Sequence, residues 1–173
     1  MKQIKKILYP TDLSSISLTA LEYALTFVKL YDAQIYVLNV IDNLFYDDLI
    51  IETPETNAFF RSIEEIARMD LKKYLNENFD STPGIFQIVK CGNPKEEILK
   101  FTEEQEIDLI ILSSNEQSTD FDSGKDNLMA TLLSQTKIPV LSLNKPETTN
   151  SNSYFSVDDK KFQLNNFGLT LFN

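Results

Sequence analysis

Short runs of residues that are apolar at nearly every position constrain the fold of this chain more than any other feature. The clearest runs are residues 35–41 (IYVLNVI) and 107–112 (IDLIIL). A strand with one face in water alternates apolar and polar residues, whereas a strand covered on both faces is apolar throughout. These runs therefore predict strands of a parallel sheet with helices packed on both sides.

Segments with the apolar spacing of amphipathic helices separate these runs. Ser14-Ser15 and Asn93-Pro94 are typical helix starts, and Thr53-Pro54 is a third. The predicted strands are residues 4–9, 35–41, 85–89, 107–112 and 140–143, and the predicted helices are residues 15–31, 54–78, 94–105 and 128–133. Strands that alternate with helices over short links predict a three-layer, Rossmann-like α/β sandwich. Within the second helix, the pair Phe59-Phe60 is expected in the core.

The sequence divides into an α/β domain at residues 1–145 and a C-terminal extension at residues 146–173. Residues 145–153 are polar and predict a linker. The last twenty residues contain four phenylalanines and three leucines, and residues 162–164 and 169–171 alternate as short strands do. The extension is therefore expected to form short strands that pack on its own subunit or on a partner.

Composition excludes several functional classes. The formal net charge is −10, which disfavours binding to the phosphates of nucleic acids. The chain has no histidine, so neither a Ser-His-Asp triad nor a Cys-His pair can form within it. Its one cysteine, Cys91, follows an apolar run and is expected to be a buried, inert thiol. One cysteine and the lack of a long apolar segment predict a cytoplasmic protein.

Several motifs in the right order resemble the universal stress protein family. They are residues 9–14 (YPTDLS) followed by Ala20-Leu21, residues 38–42 (LNVID), residues 92–94 (GNP) with 97–99 (EIL), and residues 108–111 (DLII). The resemblance covers residues 3–144. It implies a five-stranded parallel sheet in the order 3-2-1-4-5 and a homodimer formed through strand five. The C-terminal tail is expected to contribute to this homodimer.

The resemblance also implies where a nucleotide site would lie. Pro10 and Asp12 follow the first strand, and Asp12 and the main chain of Val40 would contact adenine. The phosphates would lie along a loop that carries Gly-x-x-Gly, nine residues and Gly-Ser/Thr in the family. This chain keeps the spacing but has other residues at those positions: Ser113, Glu116, Asp126 and Asn127.

The residues at the glycine positions oppose phosphate binding. Glycine lets the backbone approach a phosphate closely and direct its amides at it. Here residues 115–126 carry a formal charge of −3 instead. Two like charges about 4 Å apart repel by about 4 kcal/mol at an effective dielectric constant of 20. The sequence therefore predicts a universal stress protein with a vestigial nucleotide site that does not bind ATP in the family manner, and it predicts no cofactor.

Several alternatives stay open from the sequence. Asp12 either reads an adenine edge or caps the turn after the first strand, and Ser113 either binds a ligand or caps a loop. The acids of residues 116–126 either form a solvated loop or hold Mg²⁺ that bridges a phosphate, which would make the chain a magnesium-dependent nucleotide sensor. A nucleotide hydrolase is a further alternative, but no basic clamp or catalytic base supports it. No catalytic residue and no metal site are predicted.

Overall fold

The computed structural model describes residues 3–42, 54–79, 84–114, 128–144 and 170–172. In chain order the elements are β1 (Lys6–Pro10), α1 (Ser15–Tyr31), β2 (Gln34–Ile41), α2 (Pro54–Asn78), β3 (Ile85–Cys91), α3 (Pro94–Glu104), β4 (Leu109–Ser114), α4 (Leu128–Gln135), β5 (Val140–Asn144) and β6 (Thr170–Phe172). The strands form one sheet in the order β3-β2-β1-β4-β5-β6. β1 to β5 are parallel and β6 is antiparallel to β5, which confirms the predicted five-stranded parallel sheet and its order.

Two apolar cores cover the two faces of the sheet. Along β1, Ile7 and Tyr9 point into one core while Leu8 points into the other. Leu21 of α1 and Leu71 of α2 complete the first core, and the second contains residues of α3 and α4. Because both faces are covered, the central strands need an apolar residue at every position, which explains the uninterrupted runs in the sequence.

The described helix starts are stabilised by the residues that the sequence indicates. Ser14 is the N-cap of α1, and its hydroxyl accepts a hydrogen bond from the Ser17 amide at 3.3 Å. Ser15 is the first residue of the helix and not its cap. Asn93 caps α3 by accepting from the amides of Lys95 at 3.0 Å and Glu96 at 3.4 Å. The predicted cap Thr53 and the predicted strand at residues 162–164 lie outside the described residues.

The fourth strand begins two residues later than predicted because Ile107 completes the end of α3. Glu106 adopts a left-handed backbone conformation with φ of 53°. The Ile107 amide then donates to the Thr102 carbonyl at 3.0 Å, which satisfies an acceptor in the last turn of the helix. Ile107 is fully buried but does not belong to the sheet ladder, so its apolar character alone misplaced the start of β4.

Two predictions for side chains are wrong. Phe59 is 55% exposed on the outer side of α2, although Phe60 beside it is partly buried. Cys91 is half-buried at the end of β3, and its thiol donates to Glu64 Oε1 over 3.6 Å. Burial and the neighbouring Glu64 carboxylate both raise the pKa of the Cys91 thiol, so low reactivity is still expected.

Candidate functional site

A cavity of about 220 Å³ opens at the carboxyl ends of the central strands. Open α/β sheets bind ligands at this edge, because the strand order reverses there and adjacent loops diverge. Residues at the ends of β1, β2 and β4 and near the starts of α1, α3 and α4 line it: Pro10, Thr11, Asp12, Ser17, Leu38, Val40, Pro94, Ile98, Leu112, Ser113 and Leu128. Four predicted site residues therefore share one cavity: Pro10, Asp12, Val40 and Ser113.

Asp12 is exposed at the rim of this cavity and also caps the turn after β1. Its Oδ1 accepts a hydrogen bond from the Ser14 amide at 2.9 Å. The intervening Leu13 has a positive φ of 63°, and its amide donates to Thr11 Oγ1 at 3.0 Å. The local capping role of Asp12 is thus present in the structure. Its exposure at the rim also leaves the carboxylate within reach of a ligand in the cavity.

The main chain of Val40 is directed to the same space. Leu38, two residues earlier, accepts from the Thr11 amide at 2.9 Å, so the peptide groups of Leu38 face β1. Ile41 accepts from the Gly92 amide on the opposite side at 3.0 Å. Since successive peptide groups of a parallel strand alternate in direction, those of Val40 also face the β1 side. β1 ends at Pro10, which pairs with Leu38, so the Val40 peptide groups meet the cavity beyond the strand end.

A buried hydrogen-bond network holds the floor of the cavity. Tyr9 donates to the Ser17 carbonyl at 2.6 Å, and Ser17 Oγ lies 2.8 Å from the Tyr74 hydroxyl and 3.0 Å from Thr11 Oγ1. Asn39 adds a bond from its amide nitrogen to the Thr11 carbonyl at 2.9 Å. Burial raises the pKa of Tyr9 far above its usual range, so this phenol stays neutral. The network therefore fixes the turn that bears Asp12 to both α1 and α2.

Of the four residues predicted beside the phosphates, Ser113 lies within the described residues. It is partly buried and lines the cavity near the end of β4. Glu116, Asp126 and Asn127 lie outside the described residues. Leu128, the first residue of α4, lines the same cavity.

The polar side chains in the described part of the cavity can donate and accept hydrogen bonds. They are one carboxylate and three hydroxyls, those of Asp12, Thr11, Ser17 and Ser113. The remaining lining residues are apolar, which suits a planar or aliphatic group. Among the described residues there is no cluster of acidic, cysteine or histidine side chains that could hold a metal ion. No helix in the described ranges is long and apolar enough to cross a membrane.

Sequence reasoning missed several residues of this cavity. Thr11 and Ser17 belong to the predicted turn and helix, and Pro94 and Leu128 to predicted helix starts, but none was assigned to the site. The signal that could have found Pro94 and Leu128 is topological. In a parallel α/β sheet the amino ends of the connecting helices lie at the carboxyl edge of the strands.

A parallel sheet with helices on both faces and a cavity at its carboxyl edge defines the Rossmann-like α/β class of fold. The universal stress protein family profile matches residues 3–141. The universal stress protein MJ0577 of Methanocaldococcus jannaschii is 31% identical over 157 residues, which cover 82% of this chain and 91% of that protein. This chain belongs to the universal stress protein family.

Solved structures agree with this assignment. The structure of MJ0577 aligns with a TM-score of 0.68 and 25% identity, covering 85% of this chain and all of the other. A universal stress protein in complex with cAMP aligns with a TM-score of 0.54 and 16% identity, over 83% of this chain and 98% of that one. A family protein from Arabidopsis thaliana with AMP bound aligns with a TM-score of 0.53 and 19% identity, over 82% and 92%. The last two likenesses show the shared fold.

Proposed function

We propose that this chain is a non-catalytic, cytoplasmic universal stress protein that acts in stress responses as an interaction module and does not bind ATP in the family manner. The observation that carries this proposal is the set of residues at the phosphate-loop positions, Ser113, Glu116, Asp126 and Asn127. Three glycines that would let main-chain amides reach phosphates are replaced by side chains, two of them acidic. Each acid opposes a phosphate, and about 1.4 kcal/mol of repulsion is enough to lower affinity tenfold.

The described cavity agrees with a site for the base of a nucleotide. It measures about 220 Å³, and Asp12 and Val40 line it. The surroundings of Asp12 and Val40 can therefore hold an adenine ring, while the loop opposes the triphosphate that would follow it.

Catalysis has no support in the described part of the site. General bases most often are histidines, and the chain has none. The Asp12 carboxylate is exposed and accepts a hydrogen bond from the Ser14 amide, which is a capping role in the turn after β1. ATP hydrolysis that follows the protein through purification and disappears in Asp12→Ala would contradict the non-catalytic proposal.

Calorimetric titration of ATP, with and without Mg²⁺, tests the binding proposal. The protein is first checked by mass spectrometry for nucleotide carried over from expression. The matched comparison is a variant with the family residues restored: Ser113→Gly, Glu116→Gly, Asp126→Gly and Asn127→Ser. We expect no ATP binding at micromolar concentration by the native chain and a gain in the restored variant. Tight ATP binding by the native chain would overturn the proposal.

A magnesium-dependent adenine nucleotide sensor is the second candidate function. It is favoured by the direction of the Val40 peptide groups and by the exposed Asp12 carboxylate at the rim of the cavity. Relatives in complex with cAMP and with AMP bound show that the fold accepts adenine nucleotides. Here the loop acids would hold Mg²⁺, which would offset their charge. Binding of ATP or AMP that requires Mg²⁺ and is lost in Asp12→Ala would favour the sensor.

Self-association is the remaining part of the proposal. Universal stress proteins commonly form dimers, and we propose a homodimer that uses the β5 edge and the C-terminal tail. The partner in the stress response would then be another protein recognised by the dimer. Light scattering across a range of concentrations tests the dimer, independently of the nucleotide titration.

A further inference from the structure

The edge strand β5 is already paired within the chain. Its outer side is paired with β6 in antiparallel register, with Val140 opposite Phe172, Leu141 opposite Leu171 and Ser142 opposite Thr170. Its inner side pairs with β4 along its whole length, from Val140 to Asn144. The hydrogen-bonding groups at the start of β5 that would meet a second molecule are therefore covered by the chain's own C-terminus.

An uncovered β5 would be a strong template for another strand. A sheet edge presents a row of main-chain donors and acceptors that pair readily with any extended segment. The backbone of β5 is fixed in an extended conformation that another strand could pair with. Its residues Val140, Leu141 and Leu143 are at most 3% exposed and pack into the two cores. β6 is only three residues long, and very short edge strands are one way in which proteins prevent edge-to-edge association.

We propose that β6 is an intramolecular cap that competes with a second copy of this chain for the β5 edge. The inference rests on the proposed self-association through the β5 edge; it assigns β6 of the tail to the regulation of that contact, in place of a direct contribution to it. In the capped chain β5 is closed; when β6 leaves, two β5 strands pair antiparallel about a two-fold axis. The antiparallel β6 shows that this edge accepts a strand in that direction. Two β5 strands related by a two-fold axis also run antiparallel, because the axis places each strand beside its own copy and reverses its direction.

The length of chain between the two strands sets the strength of this competition. Twenty-five residues separate Asn144 from Thr170. Because β6 belongs to the same chain as β5, its effective concentration at the β5 edge is on the order of millimolar. Two β5 strands can pair only when both chains are open. A preference of about tenfold for the capped form in each chain therefore weakens self-association through β5 about hundredfold.

A full-length variant that cannot form β6 tests the proposal. Leu171→Pro with Phe172→Pro removes two successive amide protons, of which one must face β5 because they point to opposite sides of a strand. The matched control is Ser151→Pro with Asn152→Pro, which adds two prolines to the tail outside β6. Sedimentation velocity from 1 to 100 μM should show a dimer that is about hundredfold tighter in the β6 variant than in the native chain and the control.

A disulfide lock distinguishes a cap within one chain from a strand exchanged between two. In a Cys91→Ser background, Ser142→Cys with Thr170→Cys places thiols at directly opposite positions. The control pair, Ser142→Cys with Phe172→Cys, is diagonal, and residues about 7–8 Å apart are poorly placed to bridge. We expect oxidation to give a covalent monomer that no longer dimerises and that recovers on reduction. A covalent dimer from the first pair would overturn the intramolecular cap.

The outcomes separate this inference from the proposed function. Equal dimerisation of the native chain and the β6 variant would overturn the cap and leave the proposed dimer standing. Absence of dimer in both up to 100 μM would overturn both. The nucleotide titration measures binding in the cavity, so its result affects neither the proposed cap nor the proposed dimer.

Discussion

The Tyr74 hydroxyl is a hydrogen-bond donor, because the neighbouring hydroxyls of Tyr9 and Ser17 both give their protons to backbone carbonyls. Tyr9 gives its only hydroxyl proton to the Ser17 carbonyl at 2.6 Å. Ser17 gives its own to the Ser14 carbonyl at 2.7 Å. Ser17 Oγ therefore accepts from both of its other partners, the hydroxyls of Tyr74 at 2.8 Å and Thr11 at 3.0 Å. It follows that Tyr74 is a donor to Ser17, and that its 3.2 Å approach to the Tyr9 oxygen carries no proton of Tyr9.

This assignment predicts very different costs for two neighbouring substitutions. Tyr74→Phe removes one hydrogen bond and leaves no donor without a partner, so it should cost about 1 kcal/mol of unfolding free energy. Ser17→Ala removes the acceptor shared by Tyr74 and Thr11, and Tyr74 then has only its longer 3.2 Å approach to the Tyr9 oxygen. At least one buried donor loses a good partner, at about 1–3 kcal/mol, and the bond from Ser17 to the Ser14 carbonyl is lost as well, so the total should be about 3 kcal/mol.

Urea denaturation of a double-mutant cycle tests the assignment. In the Ser17→Ala background, Tyr74→Phe removes a donor that has already lost its Ser17 acceptor, so it should cost clearly less than in the native background. Tyr36→Phe is the control, because the Tyr36 hydroxyl makes a long, exposed contact of 3.4 Å with Gln34 and its loss should change stability by less than about 0.5 kcal/mol. A cost for Tyr74→Phe that is the same in both backgrounds would refute the proton assignment.

Three further predictions concern pH, capping and thiol reactivity. Burial raises the pKa of Tyr9, so this phenol ionises first in the unfolded chain. The contribution of Tyr9 to stability should be constant below about pH 10 and fall by up to about 1.4 kcal/mol per pH unit above it. Tyr9→Phe should remove this component of the slope in alkaline urea melts. Asn93→Ala should cost about 1 kcal/mol by loss of the α3 cap, whereas Asn93→Ser should be nearly neutral in the same melts. Cys91 should react slowly with a disulfide reagent at pH 8, and Glu64→Gln should accelerate the reaction while Glu65→Gln, on the exposed neighbour, should not.

The fold could be predicted because local and global signals agree in this chain. The runs at residues 35–41 and 107–112 need two covered faces, and only helices on both sides of a parallel sheet provide them. Ser14 and Asn93 mark helix starts through short-range hydrogen bonds, which depend on few neighbours. The start of β4 was misplaced because Ile107 is buried by the end of α3, a tertiary fact that its apolar character does not reveal.

The candidate site was predictable only in part. Pro10, Asp12, Val40 and Ser113 were assigned through resemblance, and they line one cavity. The hydrogen-bond network beneath them was not predicted, because Tyr74 is 57 residues from Ser17 in sequence and only the packing of α2 brings the two together. Phe59 was misplaced for a related reason, since an apolar residue on an amphipathic helix reaches the core only if it lies on the buried side.

The acidic loop and the tail start side by side but act on different surfaces. Ser114 is paired with Asn144, so the loop that follows β4 and the tail that follows β5 leave the sheet from adjacent positions. β6 returns to the other half of β5, from Val140 to Ser142, away from the carboxyl edge that bears the cavity. Restoring the loop glycines should therefore change ATP binding without changing the dimer constant, and breaking β6 should do the reverse. A variant that shifted both would show that the loop acids and the capping strand are energetically coupled through β4 and β5.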